Sequence, residues 1–453
     1  MTEQEKIKDL EGKLAHALTR IIELEALLLT SSPTKTSKNS HIPPSVDLSR
    51  KNQSLRAKSD KPVGGQKGHQ GYNLKMSSTP DQIEKLYPNF CNLCGKSLAD
   101  FSFDLSSVRQ VIDIPPIAPI TTEFQCFGTK CTCGHHQKGS FPQGVDNHIQ
   151  YGKNIQSLVI YQNCYQFLPF ARLQDFFQKI CHVAISKGTI ENIIRRTAQK
   201  AQPVYEQLQQ VIALSFFVGS DETSFKLKGK KGWFWVWQNA VVTYIVAACS
   251  RSKEVIKEYF PEGLPNAILC SDRLAAQLST ITKGSQLCLA HLLRDLNYLI
   301  EAEKSTWASN FKNVLKDAIE IKQNLSANER NDAKILLIEQ RTDELLNLAL
   351  LEGLEIDQEK YKQSITFFKA MVKLRHALFP FLYDPRVPFD NNGSERAIRN
   401  VKLKMKISGQ FKSLHQEFAV IRSVIDSAIK NGKSVFHAIQ AMVELPVTVK
   451  SAG

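Results

Sequence analysis

The sequence predicts an α/β multidomain fold, and three observations carry that prediction. Apolar, strand-like runs cluster between Phe216 and Asp272, long helical patterns lie on both sides of them, and a stretch of clustered cysteines precedes them. At 453 residues the chain exceeds one typical hydrophobic core, and 42% apolar residues suffice to bury more than one. Lys and Arg number 58 against 44 Asp and Glu, a formal charge of +14. Such a balance favours a polyanionic partner, held through neutralised phosphates and released counterions. The N-terminus carries no apolar signal core, and no run reaches the roughly 18 apolar residues of a membrane span. The expectation is a soluble, cytoplasmic chain with no membrane partner.

The elements follow in order. In residues 1–30, Ile7, Leu10, Leu14, Ala17, Ile21, Leu24 and Leu28 recur at spacings of three and four, the seam of a coiled-coil helix. Such a seam either pairs two copies into a homodimer or docks the helix on its own domain. Residues 31–79 are rich in Ser, Lys, Pro and Gly, with too few apolar side chains to offset the entropy of folding alone. They read as a basic flexible arm whose Lys35, Lys38, Arg50 and Lys51 contact DNA phosphates, or as a solvated linker.

Residues 80–148 hold the cysteine cluster. Cys91-x-x-Cys94 precedes Gly95 in a knuckle-like turn, Cys131-x-Cys133-Gly134 supplies a second pair, and residues 108–115 and 120–124 between them are strand-like. Four thiolates from two short turns suit a tetrahedral structural Zn²⁺, which stabilises a module too small for a large core. Cys126, His135 and His136 are alternatives for one ligand. The remaining cysteines, Cys164, Cys181, Cys249, Cys270 and Cys288, sit among apolar neighbours and read mostly as core packing. Residues 149–212 are helical. Within them, residues 185–196 form a capped helix ending in basic residues, either the second helix of a helix-turn-helix-like DNA-binding region or ordinary helix packing.

Residues 213–295 carry the first part of a catalytic core. Phe216-Phe-Val-Gly-Ser-Asp221 and Ala267-Ile-Leu-Cys-Ser-Asp272 are apolar runs that each end in Asp, with two more strand-like runs, 232–237 and 240–248, between them. A three-strand meander and a fourth strand reached through a helix around residues 252–259 is the order of an RNase H-like sheet. In that order the first and fourth strands are neighbours, and Asp221 meets Asp272. Glu222 is expected to face the other way, because adjacent strand residues alternate sides. Gln286 onward reads as the start of a helix with Cys288 and His291 on one face.

Residues 296–388 read as a helical insertion, and 389–453 as the last part of the core with C-terminal helices. That last part opens on Asp390-Asn-Asn-Gly-Ser-Glu395-Arg-Ala-Ile-Arg399, with Asp390 in the turn before a helix. Three acids gathered by folding, Asp221, Asp272 and Glu395, are what two divalent ions about 3.5–4 Å apart need to support an in-line phosphoryl displacement. Arg396, Arg399, Lys402, Lys404 and Lys406 follow as holders of a phosphate backbone. Val401, Leu403, Met405 and Ile407 alternate with those lysines, which leaves open whether the segment is helical or extended. The implied chemistry is the cutting and joining of DNA.

The ordered set Ser37-Lys-Asn-Ser40, Gly64-Gly-Gln-Lys-Gly-His69, Cys91-x-x-Cys94, Cys131-x-Cys133-Gly134, Ser220-Asp-Glu-Thr223, Trp233-x-Trp235-Val236, Ser271-Asp272, Cys288-x-x-His291 and the block from Asp390 to Arg399 resembles the IS66-family insertion-sequence transposases over essentially the whole chain. The resemblance implies a DDE transposase with Asp221, Asp272 and Glu395 as catalytic carboxylates using Mg²⁺ or Mn²⁺. It also implies a structural Cys-x-x-His motif at Cys288 and His291, and structural Zn²⁺ on Cys91, Cys94, Cys131 and Cys133, with Cys126 outside the set. Transposon ends and target DNA are the implied partners, with accessory proteins of the same element, in a bacterial cytoplasm where DNA binding associates the protein with the nucleoid. Hydrolysis at the ends frees 3′-hydroxyls that attack the target. The competing reading is a catalytically inactive or domesticated relative acting as a zinc-containing DNA-binding protein.

Overall fold

The computed structural model describes residues 13–21, 36, 39, 74–324, 332–347, 358–411 and 413–446. They fall into two compact units, Lys51–Thr121 and a larger one made of Met1–Arg50 with Thr122–Gly453. Most of the coiled-coil seam, and all of Lys35, Lys38, Arg50 and Lys51, lie outside the described residues. Residues 13–21 are helical, with Leu14, Leu18 and Ile21 exposed.

In the smaller unit, Cys91 N–H donates to the Lys96 carbonyl at 2.9 Å and Gly95 N–H to the Cys91 carbonyl at 2.9 Å. Gly95 has a φ of +72°, the left-handed conformation that such a turn requires and glycine supplies without strain. The strand-like residues 108–115 form no ladder among the described residues, and Val111, Ile112 and Ile114 are exposed. Their β-favouring composition lacks a partner strand, and without one there is no sheet to fit. Residues 120–124, likewise read as strand-like, form no ladder either.

The larger unit opens with a hairpin of β1 (Gly128–Lys130) and β2 (His136–Lys138), closed by a second knuckle. There Cys131 N–H donates to the His135 carbonyl and Gly134 N–H to the Cys131 carbonyl, both at 2.8 Å. Then come α1 (Lys153–Ile160), a π-helical turn at Tyr161–Tyr165, α2 (Phe170–Lys179) and α3 (Lys187–Ala213). The Ser186 hydroxyl caps α3 by accepting from Thr189 N–H at 3.0 Å.

A mixed five-stranded sheet follows, built from β3 (Phe217–Leu227), β4 (Lys230–Gln238), β5 (Thr243–Ala248), β6 (Leu264–Ser271) and β7 (Thr282–Leu287) in the order β5-β4-β3-β6-β7. The first three strands form the antiparallel meander; β6 pairs parallel to β3, and β7 parallel to β6. Lys228 and Gly229 join β3 to β4 with φ of +48° and +81°, the two positive values of a tight hairpin turn that follows strand twist. β4 buries Phe234, Trp235, Val236 and Trp237 in succession, which marks a central strand covered on both faces. α4 (Lys253–Tyr259) connects β5 to β6, and α5 (Ala275–Leu278) connects β6 to β7. The polar run of β7 gave no strand signal in the sequence, so the helix expected from Gln286 begins instead at Leu289.

A helical block separates the sheet from the C-terminal segment: α6 (Leu289–Glu303), α7 (Thr306–Asn324), α8 (Asp332–Leu345), α9 (Lys362–Lys373) and α10 (Pro380–Tyr383). It has its own core around Phe311, Phe368, Phe379 and Phe381, with Trp307 stacked on Phe311 at 5.3 Å. α11 (Asn392–Ser408), α12 (His415–Lys430) and α13 (Val435–Glu444) then return to the first core, which they share with the sheet and with α1 to α3. The apolar face of α3, including Ile190, Ile194 and Ala198, is buried there.

α12 also covers the outer edge of β5. Ser423 and Ser427 hydroxyls accept from Ile245 N–H at 2.8 Å and Thr243 N–H at 3.0 Å, and Gln416 donates to the Ala247 carbonyl at 2.8 Å. The strand's unpaired backbone groups are thereby closed to other strands. Among the described residues, no helix is long and apolar enough to cross a membrane.

Candidate active site

Asp221 stands in the middle of β3, opposite Val236 of β4 and just past the point where β6 stops pairing with it, since that ladder ends at Gly219 and Cys270. β6 ends at Ser271, and Asp272 follows. The carboxylate oxygens of Asp221, Glu222 and Asp272 all lie within 4.8 Å of one another. Strand alternation led to the expectation that Glu222 faces away, and the structure brings it in. Alternation sets where each Cβ points, and the β3–β6 ladder stops at Gly219. The long Glu222 side chain is held there by Arg251 and Gln277.

The environment raises the Asp221 and Glu222 carboxyls. Burial pushes the Asp221 carboxyl well above the usual carboxylate range, and the nearby Asp272 and Glu222 charges push it further. Glu222 N–H, donating to Asp221 Oδ1 at 2.9 Å, and the Lys402 ammonium act in the opposite direction. Burial and then Asp272 raise Glu222 as well, against the pull of Arg251. Glu222 Oε1 accepts from Arg251 Nε at 2.8 Å and Nη2 at 2.5 Å, while Oε2 accepts from Gln277 Nε2 at 3.1 Å. Leu274 N–H donates to Asp272 Oδ1 at 3.3 Å. Crowded carboxylate oxygens form a hard donor set that suits Mg²⁺ or Mn²⁺.

Glu395 is on the first turn of α11, where the helix dipole favours a carboxylate. It is not one of the three acids gathered within 4.8 Å. Its Oε1 lies 3.5 Å from Arg294 Nη2 and 3.8 Å from His291 Nε2, both on α6. Cys288 holds the same segment from below: its Sγ accepts from Asn391 N–H at 3.2 Å, and burial pushes the thiol up to about 12. Cys288 and His291 therefore both touch the segment that carries Glu395.

The block from Asp390 to Glu395 docks on β3 by close contact. Asn391, 1% exposed, donates through Nδ2 to the Ser220 carbonyl at 2.6 Å and accepts through Oδ1 from Ser394 Oγ at 2.7 Å. A Cβ added at Gly219 would meet Gln238 Nε2 at 2.5 Å, Asn391 Oδ1 at 2.6 Å and Ser394 Oγ at 2.9 Å; one at Gly393 would meet Gln238 Nε2 at 2.5 Å. Glycine stands where strand and helix touch. Asp390 accepts from Asn392 N–H at 3.0 Å and Asn392 Nδ2 at 2.5 Å, which ties its carboxylate into the turn.

The basic residues after Glu395 divide by face. α11 is helical throughout, so Arg396 and Arg399 are exposed, Lys402 is half-buried and Lys406 exposed. Lys404, expected among the phosphate-holding residues, is instead only 8% exposed and donates to the Asn163 carbonyl at 3.0 Å and Asn163 Oδ1 at 3.1 Å. The helical period puts it on the buried stripe of Ala397 and Val401, a placement that the apparent alternation concealed. A cavity of about 500 Å³ beside Lys404 is lined by Phe170, Phe411 and Phe418, and by none of Asp221, Glu222, Asp272 and Glu395.

The cysteine pairs sit in two separate knuckles. Backbone N–H groups of Cys94 and Leu93 pull the Cys91 thiol below its usual range, and those around Cys133 do the same for Cys131. Cys126 donates its S–H to the Gly139 carbonyl at 2.8 Å.

A family model described as Transposase IS66 family matches residues 148–417, more than half of the chain and a stretch that includes Asp221, Glu222, Asp272 and Glu395. No curated protein matches the chain.

Proposed function

Because the chain belongs to the IS66 transposase family, we propose that it cuts DNA at the ends of its own insertion sequence and joins the freed 3′-hydroxyls to target DNA by DDE chemistry. The observation that carries this reading is the meeting of Asp221 and Asp272, 51 positions apart in sequence, where β6 ends beside β3. We read that sheet as RNase H-like, since its first and fourth strands are neighbours and its first three form a meander.

In this reading Asp221 and Asp272 are the first two catalytic carboxylates and Glu395, carried by the helix docked on β3, is the third. Bound Mg²⁺ or Mn²⁺ would lower the pKa of the attacking water and offset the charge that builds on phosphorus. The residues themselves supply position and counter-charge. Arg396 and Arg399, exposed on α11 one and four residues beyond Glu395, hold the phosphate backbone. Asn391, Ser394 and Cys288 fix the helix that presents Glu395. Zn²⁺ on Cys91, Cys94, Cys131 and Cys133 is part of the same proposal. It is supported by the thiol-lowering backbone N–H groups of each knuckle.

The test uses purified protein, Mg²⁺ and DNA carrying the element's own ends, with cut and joined products mapped to the nucleotide. Asp221→Asn, Asp272→Asn and Glu395→Gln each keep shape and remove charge. They should abolish cleavage while retaining the fold and end binding, whereas Asp390→Asn should keep activity. A wild-type protein that binds the ends but never cuts them would favour the DNA-binding relative instead. Cleavage by Glu395→Gln at the wild-type rate would remove Glu395 from the site.

A further inference from the structure

Glu222 and Arg251 form a pair whose two members are unequally free. The Glu222 side chain is 2% exposed and that of Arg251 44% exposed. Glu222 is fixed from the other side by Gln277, whose amide nitrogen donates to Glu222 Oε2 and to Ser220 Oγ, both at 3.1 Å. Arg251 rests over the Trp233 ring at 5.1 Å, reaching the carboxylate from solvent. If the pair opens, the arginine leaves and the glutamate stays.

Two further observations point to what replaces it. Glu222 shares its 4.8 Å neighbourhood with Asp221 and Asp272, while the Arg251 guanidinium is paired with Glu222. Gln277, 1% exposed, has its Oε1 buried with no hydrogen-bond partner among the described residues, on the same amide that touches Glu222. A buried acceptor left unsatisfied next to crowded carboxylates marks a place that a ligand with positive charge completes.

We propose that Glu222 is a further metal-ligating carboxylate of this site, and that Arg251 is its displaceable counter-ion, seated on Glu222 when the divalent ion is absent. This rests on the metal-dependent reading above and adds to it a residue outside the three catalytic acids. It also assigns Arg251 a defined role: it neutralises a buried carboxylate until the cation arrives, and competes with that cation for the same oxygen. Stripping a buried carboxylate of its partner is costly, so the guanidinium leaves only as the cation takes its place.

The experiment is Mn²⁺ titration of the full chain, with free Mn²⁺ read by electron paramagnetic resonance and no DNA or turnover involved. Glu222→Gln should weaken Mn²⁺ binding by about tenfold or more, the scale seen when metal-site partners are removed. Arg251→Gln should tighten it several-fold, because the competitor is gone. The double variant should bind as weakly as Glu222→Gln, since Arg251 acts only through Glu222. If Glu222 merely anchors Arg251, losing both charges together leaves Mn²⁺ affinity near wild type, so a double variant that binds like wild type overturns the proposal, as does wild-type or weaker affinity in Arg251→Gln. That variant also decides the matter should Glu222→Gln fail to fold. Asp221→Asn and Asp272→Asn separate the two levels. Loss of Mn²⁺ in both, with none in Glu222→Gln, removes Glu222 alone; unchanged Mn²⁺ in all variants brings down the metal-site reading itself.

Discussion

Asn391→Ala should loosen the helix that carries Glu395 from the strand that carries Asp221. The side chain is buried, donates to the Ser220 carbonyl at 2.6 Å and accepts from Ser394 Oγ at 2.7 Å, so truncation strips one bond from each of two buried partners. Leaving a buried polar group unsatisfied costs about 1–3 kcal/mol, so the two losses together come to about 2–4 kcal/mol once partial relaxation is allowed. In a unit of roughly 380 residues that lowers the melting temperature by about 2.5–5 °C. Differential scanning calorimetry of the variant beside wild type reads it directly. Asn392→Ala is the internal comparison, because that exposed residue bonds only to Asp390 in its own turn and should lose less than about 1 kcal/mol. Equal melting temperatures for Asn391→Ala and wild type, or equal losses in the two variants, would refute the clamp.

Three other outcomes follow from the described geometry. Replacing Arg396 and Arg399 with Ala should lower the salt slope of DNA binding by about 0.9 for each phosphate no longer neutralised, while Lys404→Met leaves it unchanged, as fluorescence anisotropy across a salt series would show. Cys91→Ser and Cys131→Ser should each release about one Zn²⁺ per chain by elemental analysis. Cys126→Ser, whose thiol is spent on the Gly139 carbonyl, should retain it, and metal-free folded wild-type protein would sink the zinc reading. Burial lowers the Lys430 ammonium from 10.5 to about 8 although it donates to Gln238, Asn239 and Val242. Between those values the unfolded chain binds more protons, so urea stability should rise as pH goes up from about 8 to 10.5, and Lys430→Met should flatten that rise.

Much of the sheet was legible because its strands are apolar runs bounded by turn signals, and two of those runs bring Asp221 and Asp272 together. The helix after Asp390 was legible up to Arg399, and ambiguous beyond it because lysines and apolar residues happen to alternate. What escaped depends on partners distant in sequence. β7 is a polar strand whose identity comes from pairing with β6, and residues 108–115 have the right composition but no such partner among the described residues. Glu222 joins the carboxylates through contacts with Arg251 and Gln277, which single-strand periodicity cannot reveal. Ser423 and Ser427 look like ordinary helical serines until β5 is beside them, and Lys404 needed only the correct period to be recognised as buried.

The cover that α12 lays on β5 has a consequence in time. Roughly 160 residues separate Asp272 from Lys430, and at about 5–20 residues per second a ribosome needs roughly 8–30 s to make them. Through that interval the strands can assemble while the backbone groups of Thr243 and Ile245 face outward, and for about the first 120 residues of it neither the Asn391 clamp nor Glu395 yet exists. A growing chain thus spends many seconds with an adhesive sheet margin and an incomplete set of acids. Synthesis order makes that interval the one in which the chain most needs protection from its neighbours.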